Sequence, residues 1–287
     1  MSSAAARLRE LLAGPDLLVC PVISDPLAAR LVQRSGLPMA LLGGFGIAAI
    51  RYALPDTGLI GLAEVIDQTR ATCAAVPGFP IVCDGDTGYG NAMNVRRTVQ
   101  EFAQTGAAAV LIEDQVWPKK CGHYSGGRPV VAREEARLKI RAAVEARGNS
   151  EILIMARTDA RGSLGFEEAM ARCRAFEEEG ADILFAEALE SEEELKRFAG
   201  GFKRPTWANM MPKTPVTSRA ALGAMGFKVV TYNLLLHASI RAMRDLLAAL
   251  AADNLAAAPP LASFAELTNL VGLDAYDAMA ERYRVPE

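Results

Sequence analysis

Short apolar runs rich in β-branched residues alternate along the chain with longer stretches in which apolar side chains recur every third or fourth position. The short runs fall at residues 17–22, 39–42, 81–83, 109–112, 152–156, 183–186, 206–208 and 228–231, a length and composition that predict strands. Stretches at 95–104, 133–146, 166–179 and 191–198 carry the helical period instead. Gly106, Gly180 and Gly226 stand just ahead of later runs, where a glycine closes a last helical turn. Repeated strand–helix units predict parallel pairing, and eight of them predict an α/β fold of the (β/α)8, TIM-barrel type. A doubly wound sheet is the competing arrangement, but no glycine-rich dinucleotide turn supports it. The pattern assigns one domain, 1–287: an N-terminal helix over 1–16, the barrel over 17–252 and a helical tail over 253–287. Ala257-Ala258-Pro259-Pro260 breaks the tail, and 264–283 reads as one or two further amphipathic helices.

Length and composition agree. A chain of 287 residues, 51% hydrophobic, suits one barrel with extra helices and a large core. A net charge of -3 with no long basic block points away from nucleic acid and from anionic membrane surfaces. No apolar run approaches a membrane span, and Arg7, Arg9, Glu10 and Asp16 interrupt any leader-like stretch, so the expected compartment is the cytoplasm. The five cysteines lack disulfide-framework spacing. Cys20, Cys73, Cys83 and Cys173 sit in apolar or helical runs and read as reduced core thiols.

Cys121 is different. It follows Lys119 and Lys120 and precedes Gly122-His123, in a segment opened by Pro118. Neighbouring cations favour the thiolate, and an imidazole can exchange its proton, so this thiol suits acid–base or nucleophilic work. A second polar stretch, Asp84-Gly85-Asp86-Thr87-Gly88-Tyr89-Gly90-Asn91, ends the third strand on two aspartates. At strand spacing both point to one side, and the glycines and Asn91 suit a tight turn leading to a helix cap. Carboxylates with no imidazole nearby suit a hard cation such as Mg²⁺, held partly through water. Asp84, Asp86, Glu113, Arg157, Glu187 and Asn209 all fall at or just past strand ends. Packing alone explains this poorly, because each would need its own partner in an apolar barrel.

Asp84-Gly85-Asp86-Thr87-Gly88-Tyr89-Gly90-Asn91, Ile112-Glu113-Asp114-Gln115 and Lys119-Lys120-Cys121-Gly122-His123 together resemble the isocitrate lyase/phosphoenolpyruvate mutase superfamily. Leu54-Pro55-Asp56, Ile154-Met155-Ala156-Arg157-Thr158-Asp159-Ala160 and Ala208-Asn209-Met210 extend the resemblance from about Asp25 to about Ser239. The branch it resembles most holds methylisocitrate lyase, dimethylmalate lyase, oxaloacetate hydrolase and carboxyphosphoenolpyruvate mutase. The resemblance implies Mg²⁺, with Mn²⁺ as a substitute, and an enolate formed at the carbon beside a carboxylate. It makes Asp84 the direct metal ligand and gives Asp86 and Glu113 the metal's waters. Gly43, Gly44 and Phe45 would offer backbone N–H groups to a substrate carboxylate, with Asp56, Lys119 and Gly122 beside it. Arg157 would clamp the carboxylate or oxyanion. Glu187, Asn209 and His123 would bind substrate or assist proton transfer, and Cys121 would protonate the enolate.

The same resemblance implies exchange of the last barrel helix between subunits of a homotetramer, built as a dimer of dimers. Three departures from the family pattern stand out: Gly43 where Ser or Thr is common, Asn209-Met210-Met211-Pro212-Lys213-Thr214-Pro215 after the seventh strand, and Tyr232-Asn233-Leu234-Leu235 where a Tyr-Pro pair is common. Asn233 thus enters the substrate-binding set as a polar residue in a proline's place. The activity implied is cleavage of a carbon–carbon bond in a small 2-hydroxy di- or tricarboxylate. Oxaloacetate hydrolysis or decarboxylation, phosphonate P–C chemistry, and a non-catalytic metabolite-binding barrel are the alternatives.

Overall fold

The computed structural model describes residues 2–120, 128–210, 214–216 and 218–285. Eight strands close into a parallel barrel in chain order. They are β1 (Leu18–Ile23), β2 (Ala40–Leu42), β3 (Ile81–Asp84), β4 (Ala109–Glu113), β5 (Leu153–Thr158), β6 (Ile183–Ala186), β7 (Thr206–Met210) and β8 (Val229–Tyr232). Closure comes from β1 on β8, with Cys20 level with Thr231. Each strand coincides with an expected run to within two residues at either end. The difference has a direction: β1, β3, β4, β5, β7 and β8 run on past the expected run, so Asp84, Glu113, Arg157 and Asn209 belong to strands rather than to the loops after them.

Strand alternation sorts these residues by face. The barrel interior is filled by Leu18, Cys20, Val82, Leu111, Leu153, Met155, Ile183, Phe185, Trp207 and Val229. The intervening residues, among them Cys83, Val110, Ile112, Ile154, Ala156, Leu184, Ala208 and Val230, pack outward against the helices. Continuing the inward phase upward gives Asp84 on β3, Glu113 on β4, Arg157 on β5, Glu187 after β6, Asn209 on β7 and Asn233 after β8. The helix Ala4–Ala13 places Ala4, Ala5 and Leu8 against the interior cluster, filling its N-terminal end. The interior is therefore apolar below and polar only at the C-terminal rim, the arrangement that lets a barrel carry chemistry without losing its core.

Outward phase gives Asp114 a different environment. Its carboxylate accepts from Thr158 Oγ1 at 2.6 Å, from the Asp159 N–H at 2.9 Å and from Arg172 Nη1 at 3.0 Å, all buried between strands and helices. Cys20, Cys73, Cys83 and Cys173 are free and buried, as expected of core thiols, and burial pushes the Cys83 and Cys173 thiols far up.

The chain divides into two compact units, Met1–Leu234 and Leu235–Glu287. The first ends just past β8, ahead of the 252 drawn from the sequence. The second holds the helix Leu235–Ala251, a short turn, and the helices Phe264–Val271 and Leu273–Arg282. Gly272, at φ 83°, separates the last two, which resolves 264–283 into two helices. Among the described residues no helix is long and apolar enough to cross a membrane.

Candidate active site

The acidic loop after β3 is held in place by its own backbone. Gly85 N–H donates to Leu111 O at 2.9 Å and Glu113 N–H to Asp86 O at 2.8 Å, fastening the loop to β4. Asp86 and Tyr89 take left-handed φ values of 48° and 60°, conformations that side-chain-bearing residues rarely adopt. Asn91 then caps the helix Ala92–Ala103, its Oδ1 accepting from Met93 N–H at 2.9 Å. The expected turn and cap are therefore both present.

Within this frame Asp84 accepts from the N–H of Asp86 at 3.0 Å and of Gly44 at 3.1 Å. Asp56, Asp86 and Glu113 are buried beside it. One ammonium enters the cluster: Lys119 Nζ lies 2.6 Å from Asp56 Oδ1 and 2.6 Å from Asp86 Oδ1. Burial pushes Asp86 up to about 6, although Lys119 pulls the other way. Glu113 is raised well above the usual carboxylate range by burial, against the pull of Arg157. Burial works against a charged Lys119 too, but Asp86, Asp84 and Asp56 outweigh it and hold the ammonium well above its ordinary value. The cluster is thus short of positive charge.

Asp86 Oδ2 is buried and finds no hydrogen-bond partner among the described residues. Among those residues no three acid, thiol or imidazole groups close on one point as direct ligands. An all-oxygen set with an orphaned carboxylate oxygen and too little counter-charge fits a hard divalent cation that one carboxylate touches and the others hold through water.

Beside the acids, Arg157 makes a two-point contact with Asp159, Nε to Oδ2 and Nη2 to Oδ1, both at 2.9 Å. Glu113 lies 3.4 Å from its Nε and Glu187 3.5 Å from its Nη2. Its guanidinium stacks 5.2 Å from the Phe185 ring centroid. Asn209 Nδ2 donates to both Glu187 oxygens at 3.3 Å, leaving its buried Oδ1 without a hydrogen-bond partner among the described residues. Glu113 Oε1 in turn accepts from Gln115 Nε2 at 2.9 Å.

These groups face a cleft of about 760 Å³, open mouth included. Gly43, Phe45, Asp56, Asp84, Glu113, Lys119, Arg157, Glu187, Asn209 and Asn233 all line it, so the structure brings most of the expected set together. Cys121, Gly122 and His123 lie outside the described residues. In this structure the Gly43 N–H donates to Ile23 O at 3.2 Å and the Gly44 N–H to Asp84 Oδ2 at 3.1 Å. The tight approach of the β2 end to the β1 and β3 ends sets these contacts.

Sequence reasoning missed Asp159, Arg128, Gln115 and Thr231. Arg128 pairs with Asp159, and Arg128, Gln115 and Thr231 line the cleft. Thr231 was accessible as the inward continuation of Val229. Asp159 was accessible as a carboxylate two residues from Arg157. Nothing periodic marks Arg128.

The profile of the phosphoenolpyruvate phosphomutase family matches residues 8–251. The chain belongs to that family. It is 39% identical to 2,3-dimethylmalate lyase from Eubacterium barkeri over 97% of this chain and 98% of that one. Its fold matches a structure of oxaloacetate acetylhydrolase in complex with the inhibitor 3,3-difluorooxalacetate, with a TM-score of 0.92, 32% identity and 99% of each chain covered. It also matches a phosphonopyruvate hydrolase complex with oxalate and Mg²⁺, with a TM-score of 0.86, 29% identity, and 98% of this chain and 99% of that one covered. The family member described here is an enzyme of the carbon–carbon lyase kind.

Proposed function

We propose that this enzyme is a Mg²⁺-dependent lyase that splits a small 2-hydroxy di- or tricarboxylate, of the methylisocitrate or dimethylmalate type, through an enolate. The carrying observation is the juxtaposition of an oxygen-only cluster, Asp56, Asp84, Asp86 and Glu113, with a guanidinium held among three carboxylates. Asp84, Asp86 and Glu113 are the residues that would hold the metal, with Mn²⁺ as a substitute. When bound, the metal supplies positive charge to the oxygens of the 2-hydroxy acid and of the enolate it releases. Arg157, immobilised by Asp159 and Phe185, meets charge developing on the same oxygens with no reorganisation. Phe45, in the first turn of the helix Gly44–Tyr52, supplies the backbone N–H for a carboxylate, the dipole of that helix favouring an anion. Glu187 and Asn209 form a hydrogen-bonded pair that accepts the hydroxyl proton and orients the distal end. Cys121 delivers the proton to carbon, with His123 setting its protonation state and Gly122 letting the loop approach.

Asn233 favours a second reading, oxaloacetate hydrolysis. It lines the cleft, and its amide can hold a hydrated carbonyl where a proline could not. Asn233→Ala would then depress oxaloacetate cleavage by roughly ten- to a hundredfold, the worth of one hydrogen bond to a strongly polarised group. In the lyase reading it would change substrate preference instead.

The proposal extends to assembly and location. The unit Leu235–Glu287 exposes Ile240, Met243, Leu247, Phe264 and Tyr276, which supports burial against other subunits in a homotetramer with an exchanged helix. The assigned compartment is the cytoplasm, with no nucleic-acid or membrane partner. The testing experiment offers metal-loaded enzyme methylisocitrate, dimethylmalate, citramalate, malate, oxaloacetate and phosphonopyruvate, and assays pyruvate, succinate and oxalate. Pyruvate from a branched 2-hydroxy acid supports the lyase, and oxalate from oxaloacetate the hydrolase. Turnover of phosphonopyruvate alone overturns both.

A further inference from the structure

One of the carboxylates assigned to the metal, Asp86, already holds a cation that belongs to the chain. Lys119 Nζ bridges Asp56 and Asp86 at 2.6 Å to each. Its side chain is only 6% exposed, and those of Asp56 and Asp86 are 7% and 1% exposed. Gly44 shows how tightly the groups converge. A Cβ there would stand 3.3 Å from Asp84 Oδ2, 3.3 Å from Asp86 Oδ1 and 3.6 Å from Lys119 Nζ. A hydrated divalent ion touching Asp84 and reaching Asp86 through water would share the Asp86 carboxylate with the Lys119 ammonium. Two cations in that space would also repel each other.

The segment bearing Lys119 is fastened to the same cluster at several points. Trp117 packs edge-on against Tyr89 of the acidic loop, with ring centroids 5.6 Å apart. Pro118 lies so close to Gly58 that a Cβ there would stand 2.9 Å from the proline Cβ. Lys120 N–H donates to Gln115 Oε1 at 3.1 Å, and Gln115 holds Glu113. Movement of the ammonium is therefore felt by the segment that leads directly to Lys120 and the thiol-bearing residues beyond it.

We propose that Lys119 is the counter-ion that the divalent metal replaces: it neutralises Asp56 and Asp86 in the metal-free protein, and metal entry drives its ammonium off those carboxylates toward the cleft. Released there, it becomes a cationic receptor for a substrate carboxylate, so the anion site forms only once the metal is in place. This rests on the assignment of Asp84, Asp86 and Glu113 as the cation site. Linkage is reciprocal, so whatever the metal does to Lys119, Lys119 does to the metal.

The experiment measures Mn²⁺ binding to the metal-stripped, full-length protein by electron paramagnetic resonance, without substrate. Lys119→Gln removes the competitor and should tighten Mn²⁺ by about five- to a hundredfold, the usual span of coupling between two ligands. Lys119→Arg keeps the charge and should bind Mn²⁺ within about threefold of the parent, a much smaller change than that range. Equal or weaker Mn²⁺ binding by Lys119→Gln overturns the proposal while leaving the cation site standing. No Mn²⁺ binding by the parent protein overturns both. A second readout does not depend on the folding of a variant at Lys119. Mg²⁺ added to the parent protein should change the emission of Trp117, read as the difference between the parent and Trp117→Phe, in which only the cleft-lining Trp207 remains. Unchanged emission at saturating Mg²⁺ contradicts displacement.

Discussion

Replacing Arg157 by Met tests whether the rim is held together by charge rather than by packing. Methionine keeps the unbranched apolar stem, reaching about as far as the arginine Nε, but removes the guanidinium that stacks on Phe185 and faces Glu113, Asp159 and Glu187. Each acid retains one other partner, Gln115, Arg128 and Asn209 respectively. Removing one partner from a buried ion pair costs about 3–5 kcal/mol while the remaining acid stays ionised. Protonation is the escape route. Glu113 already lies well above its ordinary value through burial, even with Arg157 pulling it down. In the variant its folded value rises further above the unfolded one near 4.3, so ionisation costs stability. That cost is absent below the unfolded value and grows as pH rises toward the folded one. Each pH unit between the parent's folded value and the variant's higher one is worth about 1.4 kcal/mol per proton, so the gap to the parent narrows as pH falls through that interval. Urea denaturation with chelator present should show a gap to the parent of about 3–5 kcal/mol at pH 8 and a clearly smaller one at pH 5.5. A gap under about 1 kcal/mol at pH 8, or one that widens on acidification, refutes the reasoning.

Three further outcomes are expected. Cys121→Ser should cut turnover by about two orders of magnitude or more, the contribution of a positioned acid, and near-normal turnover would remove it from the protonation step. Gly46→Ala would bring a Cβ to 2.1 Å from the hydroxyl of buried Ser24, so urea denaturation should show a loss of about 1–3 kcal/mol, and an unchanged midpoint would contradict the packing. Arg141 and Arg137 hold Glu179 below its ordinary value across the junction of the helices Arg133–Ala146 and Phe166–Glu178. A lowered carboxylate stabilises above its unfolded value and loses that contribution as pH falls through the folded one, so Arg141→Ala should cost stability at pH 7 and progressively less on acidification; a pH-independent loss would assign the effect to packing.

Much of this architecture was legible because a barrel strand writes its faces into the sequence with period two. Leu153, Met155 and Arg157 share one phase, as do Leu111 and Glu113, so the rim residues could be read as the polar ends of inward rows. The same logic separates Glu113, which enters the cleft, from Asp114, which turns outward to Arg172. Loops carry no such period. Lys119 and Lys120 look alike in sequence, yet the structure buries Lys119 among carboxylates and leaves Lys120 exposed. Arg128 reaches Asp159 from a segment with no repeating pattern at all. The hydrogen bonds of the Gly43 and Gly44 N–H groups within the protein were hidden for a related reason. Whether an N–H faces a ligand or a neighbouring strand depends on how closely strand ends approach, and that distance is a tertiary quantity. The tail read correctly as helical, because amphipathic periodicity survives without knowledge of what covers it.

The central claim is cleavage of a carbon–carbon bond through an enolate that the protein then protonates. It is tested most directly by running the turned-over member of the substrate panel in D2O with Mg²⁺ and examining the released acid by NMR. The account predicts a single solvent deuteron at the carbon that lost its bond, and loss of product formation when the metal is chelated. Cleavage with no deuteron at that carbon, or unchanged turnover in excess chelator, would contradict it.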